Sequence, residues 1–175
     1  MKKLWVLLLS VCIGLGTLVA QDINTFKQQA QKGDVSAQND LGVMYRKGQG
    51  VPQDYVQAVK WFRLAADQGY ANAQTNLGYM YNNGQGVPQD YVQAVKWYRL
   101  AADQGIAKAQ FNLGNMYHNG RGVLQDYVQA HKWYNLAAAQ GYANGAKNKD
   151  LVAKGMTPQQ IAQAQELARN WKPKQ

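Results

Sequence analysis

Three successive copies of a 36-residue block occupy positions 37–144. Ala37 opens AQNDLGVMYRKGQGVPQDYVQAVKWFRLAADQGYAN, Ala73 opens AQTNLGYMYNNGQGVPQDYVQAVKWYRLAADQGIAK, and Ala109 opens AQFNLGNMYHNGRGVLQDYVQAHKWYNLAAAQGYAN. Only eight of the 36 positions differ between the first two copies. Repetition at this period marks a stacked array, because one such unit cannot bury its own apolar face and needs a neighbour.

Each copy reads as two helices. Ala37, Leu41, Met44 and Tyr45 fall at i, i+4, i+7 and i+8, forming one apolar stripe, and Tyr55, Ala58, Trp61, Phe62 and Ala65 form another. Between them, Gly48, Gly50 and Pro52 interrupt the first helix. Asp54 fits an N-cap with Gln57 three residues on, a capping box repeated at Asp90/Gln93 and Asp126/Gln129. Gly69, Gly105 and Gly141 suit the left-handed position that closes a helix. Gly42, Gly78 and Gly114 stand inside the first helices, where glycine costs ~1 kcal/mol relative to alanine. Bulky groups are therefore expected to approach there, with Trp61, Trp97 and Trp133 as the large partners. The Ala pairs at 65–66, 101–102 and 137–138 are the expected shallow sites.

The ends read as caps. In the expected N-terminal capping helix, 21–36, residues Asp22 to Gly33 match the second half of a repeat, with Phe26, Ala30 and Gly33 in register with Phe62, Ala66 and Gly69. In the segment 145–175 the register degrades, and Lys149 stands where Leu41, Leu77 and Leu113 stood. Thr157-Pro158-Gln159-Gln160 offers an N-cap, an N1 proline and a capping-box glutamine. The helix that follows carries Ile161, Ala164, Leu167, Ala168 and Trp171 on one side, and the tail beyond Trp171 is expected to fray.

Residues 1–20 have the layout of a cleaved secretory signal: Lys2 and Lys3, an apolar run from Leu4 to Ile13, then small residues to Ala20. A transmembrane anchor would need ~20 apolar residues, and Val11 before Cys12 is too large for a lipoprotein site. The expectation is a periplasmic or secreted monomer with no stable membrane insertion. The chain carries 19 Lys+Arg against 10 Asp+Glu, a formal net charge of +9. Export argues against nucleic acid as the partner of so basic a chain and points to acidic proteins, phospholipid or envelope polymers. Cys12 is the single cysteine and lies in the signal, so no disulfide framework is expected.

The pattern A-Q-x-x-L-G-x-M-Y, then G-x-G-V, then D-Y-x-x-A-x-x-W-[FY]-x-x-A-A-x-x-G resembles the Sel1-like repeat, a relative of the tetratricopeptide repeat. The M-T-P-x-Q-I-A-x-A-Q segment is similar to the ends of such proteins. The resemblance implies an all-α, right-handed α-solenoid of antiparallel helix pairs, with full repeats at 37–72, 73–108 and 109–144 and capping helices at both ends. It also implies an adaptor or scaffold for protein–protein contacts. Leu124 in place of Pro52 and Pro88, and His131 in place of Val59 and Val95, depart from the pattern in the third copy.

Catalytic constellations are hard to assemble. Beyond the signal the chain has one serine, Ser36, no cysteine, and only His118 and His131 on different helices. Glu166 is its only glutamate, and the repeated aspartates serve as helix caps or helix-end surface residues. His131 is expected as a partly exposed helix residue, and His118 as a solvated one or a ligand contact. No cofactor and no metal site are expected. Cysteine-rich relatives associated with β-lactams carry a disulfide in each repeat, so a β-lactam hydrolase remains only the enzyme alternative. G-Q-G-V lacks the strand and the Lys-Ser/Thr element of a phosphate loop. The columns Tyr45/Tyr81/Tyr117 and Trp61/Trp97/Trp133 recur at core-facing positions, which favours packing over stacking platforms for sugars or bases.

The differences between copies point to a partner site. Five of the eight lie in the first helix and its exit, at Asn39/Thr75, Asp40/Asn76, Val43/Tyr79, Arg46/Asn82 and Lys47/Asn83. Positions 39, 43 and 46 share one helix face. If first helices line the concave surface, as the resemblance implies, the groove is Asn39, Val43, Arg46, Thr75, Tyr79, Asn82, Phe111, Asn115 and His118. Tyr79 and Phe111 are its expected aromatic anchors.

Overall fold

A computed structural model describes residues 23–174; the expected signal peptide lies outside the described residues. A short helix α1 (residues 23–31) leads into α2 (Val35–Lys47), α3 (Tyr55–Asp67), α4 (Ala71–Asn83), α5 (Tyr91–Asp103), α6 (Ala107–Asn119), α7 (Tyr127–Ala139), α8 (Ala143–Ala153) and α9 (Pro158–Arg169). No strand occurs among the described residues. Each helix from α2 to α8 packs chiefly on its neighbours in the chain, and α9 folds back on α7. This is an α-solenoid of antiparallel helix pairs.

The helix ends explain why the period is held. Asp54, Asp90 and Asp126 accept from the backbone N–H of Gln57, Gln93 and Gln129 at 2.9–3.0 Å. Only this half of the expected capping box forms. The aspartate N–H groups donate instead to Tyr45, Tyr81 and Tyr117 carbonyls, which ties each loop to its own first helix. Thr157 and Gln160 make the full reciprocal box at α9. At the ends of α3, α5 and α7 the glycine N–H and the next N–H donate to Ala66 and Ala65, Ala102 and Ala101, and Ala138 and Ala137. That is the Schellman arrangement. Gly33 and Asp34 repeat it on Ala30 and Gln29, so α1 ends as a second helix of the repeat does.

The loop glycines do separate jobs. Gly48, Gly84 and Gly120 are left-handed C-caps of the first helices. A Cβ at Gly86 or Gly122 would run into the backbone of Tyr55 or Tyr91, where the preceding second helix begins.

Two aromatic columns hold the stack, and they differ from the expected one. A Cβ at Gly42, Gly78 or Gly114 would lie 2.6 Å from Phe62, 2.8 Å from Tyr98 or 2.7 Å from Tyr134. The mid-helix glycines therefore admit the ring that follows each tryptophan and lock the two helices of one repeat. The tryptophans act between repeats. Trp97 joins Ala58, Phe62 and Ala65 of α3, and Trp133 joins Ala94, Tyr98 and Ala101 of α5. Trp61 packs beside Ala30 and Leu41.

A buried glutamine ladder runs alongside. Gln38, Gln74 and Gln110 donate to the Ala30, Ala66 and Ala102 carbonyls at 3.0–3.2 Å. The same three accept from Gln68, Gln104 and Gln140 at 2.8–2.9 Å. Each glutamine pair thus caps the preceding second helix. Ala146 stands where the next ladder glutamine would come, and the ladder ends there.

The tail is not frayed through residue 174. Trp171 meets Trp133 edge-on at 6.4 Å between ring centres, and Lys174 pairs with Asp103 at 2.6 Å. The Lys174 backbone N–H also donates to the Asp103 carbonyl at 2.8 Å.

Candidate functional site

Along each first helix the side chains left open fall at i, i+3 and i+7. They are Asp40, Val43 and Lys47 on α2; Asn76, Tyr79 and Asn83 on α4; and Asn112, Asn115 and Asn119 on α6, of which Asp40, Lys47, Tyr79, Asn83 and Asn119 are exposed and the others half-buried. The expected stripe of 39, 43 and 46 is turned from this one by a residue at two of its three places. One residue is a rotation of about 100° on a helix, enough to move a side chain from the open face into the stack.

Asn39 and Thr75 are corrections to the expected groove, being only 7% and 3% exposed. Asn39 accepts from the Asn76 amide at 2.9 Å across the α2–α4 junction, and the Thr75 hydroxyl donates to the Ala71 carbonyl of its own helix. Phe111, at the equivalent position, lies half-buried against Tyr134 at 5.8 Å and Tyr142 at 5.1 Å. It packs within the third repeat, against α7 and the turn that follows it, and is not a free anchor.

The other expected residues stay near the open face. Val43, Arg46, Asn82, Asn115 and His118 are half-buried, and Tyr79 is exposed. The Arg46 guanidinium lies over the Tyr79 ring at 5.7 Å, which holds the ring by a cation–π contact. Asn115 accepts from the Tyr134 hydroxyl at 2.7 Å and from the Asn148 amide at 3.3 Å. His118 stacks obliquely on Tyr127 at 5.5 Å, so it is less solvated than expected.

Between α4, α5 and α6 the face sinks into a cavity of ≈ 190 Å³ lined by Asn82, Tyr98, Asn112, Asn115, Met116, Asn119 and Arg121. Amides dominate its wall. The Tyr98 phenol is pushed up by burial and by nearby Tyr79, and its hydroxyl makes no hydrogen bond to a described residue. In the next repeat, burial likewise raises the equivalent Tyr134 phenol to about 12. Neutral at ordinary pH, neither phenol serves as a base, and the Tyr134 hydroxyl acts as a donor to Asn115. Asn82 and Asn115 of the expected groove line this cavity, whereas Asn112, one residue beyond Phe111, and Asn119 and Arg121 lie outside the expected set.

His131 is a second correction, 2% exposed instead of partly exposed. It occupies the place where Val59 and Val95 are buried, and burial lowers its pKa, with the Lys149 ammonium acting in the same direction. Tyr81 and Tyr117 accept from the guanidinium groups of Arg63 and Arg99, which lie over their rings at 5.7 Å. With Trp97 and Trp133 buried, these columns act in packing. No group of three or more His, Cys, Asp and Glu side chains is gathered among the described residues, and no described helix is long and apolar enough to cross a membrane.

The Sel1 repeat family matches at residues 35–70, 71–106 and 107–142, a frame two residues upstream of Ala37 that coincides with the first residues of α2, α4 and α6. No curated protein sequence matches the chain. Among solved structures, c5321, a protective antigen present in uropathogenic Escherichia coli strains and displaying an SLR fold, is 37% identical with a TM-score of 0.81. That match covers 87% of this chain and only 32% of the antigen. A Sel1 repeat protein from Oxalobacter formigenes is 42% identical with a TM-score of 0.67, covering 74% of this chain and 98% of the other.

Proposed function

Because this chain belongs to the Sel1 repeat family, we propose that it is an exported scaffold that binds a protein or extended peptide along the open face of its first helices. Proteins of this family are typically interaction scaffolds without catalytic activity. Export to the periplasm or beyond is supported by Lys2, Lys3 and the apolar run behind them.

One observation carries the binding reading. The columns that hold the stack repeat almost unchanged, whereas the open face changes from copy to copy. Val43, Tyr79 and Asn115 are one such row, and Arg46, Asn82 and His118 another. A face that serves only to meet water has no need of a half-open tyrosine held by an arginine, beside a cavity walled with amides. Primary amides offer donors and acceptors together, which suits the backbone of an extended peptide, and the ring at Tyr79 supplies apolar area at low entropic cost.

Tyr79→Ala combined with Asn112→Ala tests this, since neither removes a core contact. Partner recovery from the native host by crosslinking should fall while helical content stays unchanged. Undiminished recovery would contradict the reading. Binding that collapses at moderate salt would favour an anionic envelope polymer instead, and nitrocefin turnover by the pure protein would favour the hydrolase.

A further inference from the structure

The tail lies in a depression that the repeat builds more than once. Around Gly105 a cavity of ≈ 310 Å³ is lined by Gln104, Leu136, Ala139 and Gln140, and the tail's Trp171 and Pro173 form its remaining wall. One repeat earlier, Gly69, Leu100, Asp103 and Gln104 line a cavity of ≈ 350 Å³, which only Lys174 reaches from one end. The two sets of walls are related position by position by the 36-residue period.

The tail walls one cavity closely and only touches the end of the other. A Cβ at Gly105 would meet Trp171 at 3.7 Å and Pro173 at 3.8 Å, whereas one at Gly69 would meet nothing within 4 Å. Leu100 is 42% exposed, whereas its counterpart Leu136 is half-buried beside the tail. The carboxylate that holds Lys174 is Asp103, two residues before Gly105; Asp67 stands two residues before Gly69 and forms no ion pair with a described residue. Both sites sit at the C-terminal ends of second helices, where free carbonyls favour cations. At Gly33 the corresponding residue is Gln31, so that copy lacks the anchor.

We propose that the depression at Gly69, Leu100 and Asp67 is a second docking site, distinct from the open face of the first helices. Its ligand is a basic segment of a partner protein with the chemistry of residues 171–174: an indole, then a proline, then a lysine. The tail is the internal copy of that ligand. The indole covers Leu100 and Gly69, the proline keeps the segment extended, and the lysine pairs with Asp67 as Lys174 pairs with Asp103.

The probe is a labelled peptide of residues 168–175, ARNWKPKQ, titrated into the full chain and followed by fluorescence anisotropy. Saturable binding is expected, weakened on the order of tenfold by Leu100→Glu or Asp67→Lys and by replacing the peptide's tryptophan with alanine. Both chain substitutions are at exposed positions, so the fold survives them. A chain ending at Asn170 should bind additional peptide at the vacated Gly105 site. Absence of binding to the full chain, binding only by the shortened chain, or indifference to Leu100→Glu and Asp67→Lys would each overturn the proposal. So would a dimer of the full chain that Leu100→Glu dissolves, since the occupant would then be a second copy.

Discussion

Gly78 sits where the Tyr98 ring passes so close that any Cβ would displace it. Gly78→Ala gains helix propensity of ~1 kcal/mol but overpacks a buried ring, at a cost of roughly 1–3 kcal/mol. We expect a net loss of up to about 2 kcal/mol in urea unfolding. His131 makes the opposite kind of misfit, a polar group in a valine's place. Burial and Lys149 hold its pKa below the ordinary value, with Asp150 opposing. The unfolded chain therefore binds that proton more tightly, and stability should fall as pH drops below about 6.5. His131→Val should flatten this slope between neutral and mildly acid pH; an unchanged slope would show that other groups set it.

The elements were legible because a period fixes them. Helix pairs, their aspartate caps, the closing glycines and the cap at Thr157 all follow from residue type at fixed spacing. The rotation of each helix against its neighbours does not, because periodicity says which residues recur and not which way they point. That is why Asn39 and Thr75 were assigned outward, and why Trp97 was assigned to the ring socket that Tyr98 fills. The glutamine ladder escaped for a related reason. Gln74 or Gln110 on a helix looks like surface until a partner helix end is brought to it. Gln110→Leu removes one of the hydrogen bonds to the Ala102 carbonyl and the acceptor of the Gln140 amide, and should cost about 0.5–1.5 kcal/mol, read from the urea midpoint. An unchanged midpoint would mean that the ladder is decoration.

As a whole the molecule is nearly one-dimensional: each repeat touches only the next, so recognition surface grows with repeat number at constant packing. The repeats hold their stack through the aromatic Phe62/Tyr98/Tyr134 column within pairs and the invariant tryptophan column between them. The open face of α2, α4 and α6 varies, as do a few packed positions such as Asn39, Thr75 and Phe111. A photocrosslinking scan in the native host, with the reactive residue placed in turn at 43, 79, 83 and 115 and at the exposed outer valines 56 and 92, tests this division of labour most directly. The account predicts partner adducts at the first four positions and none at the valines; adducts at 56 and 92 with none at 79 or 83 would contradict it.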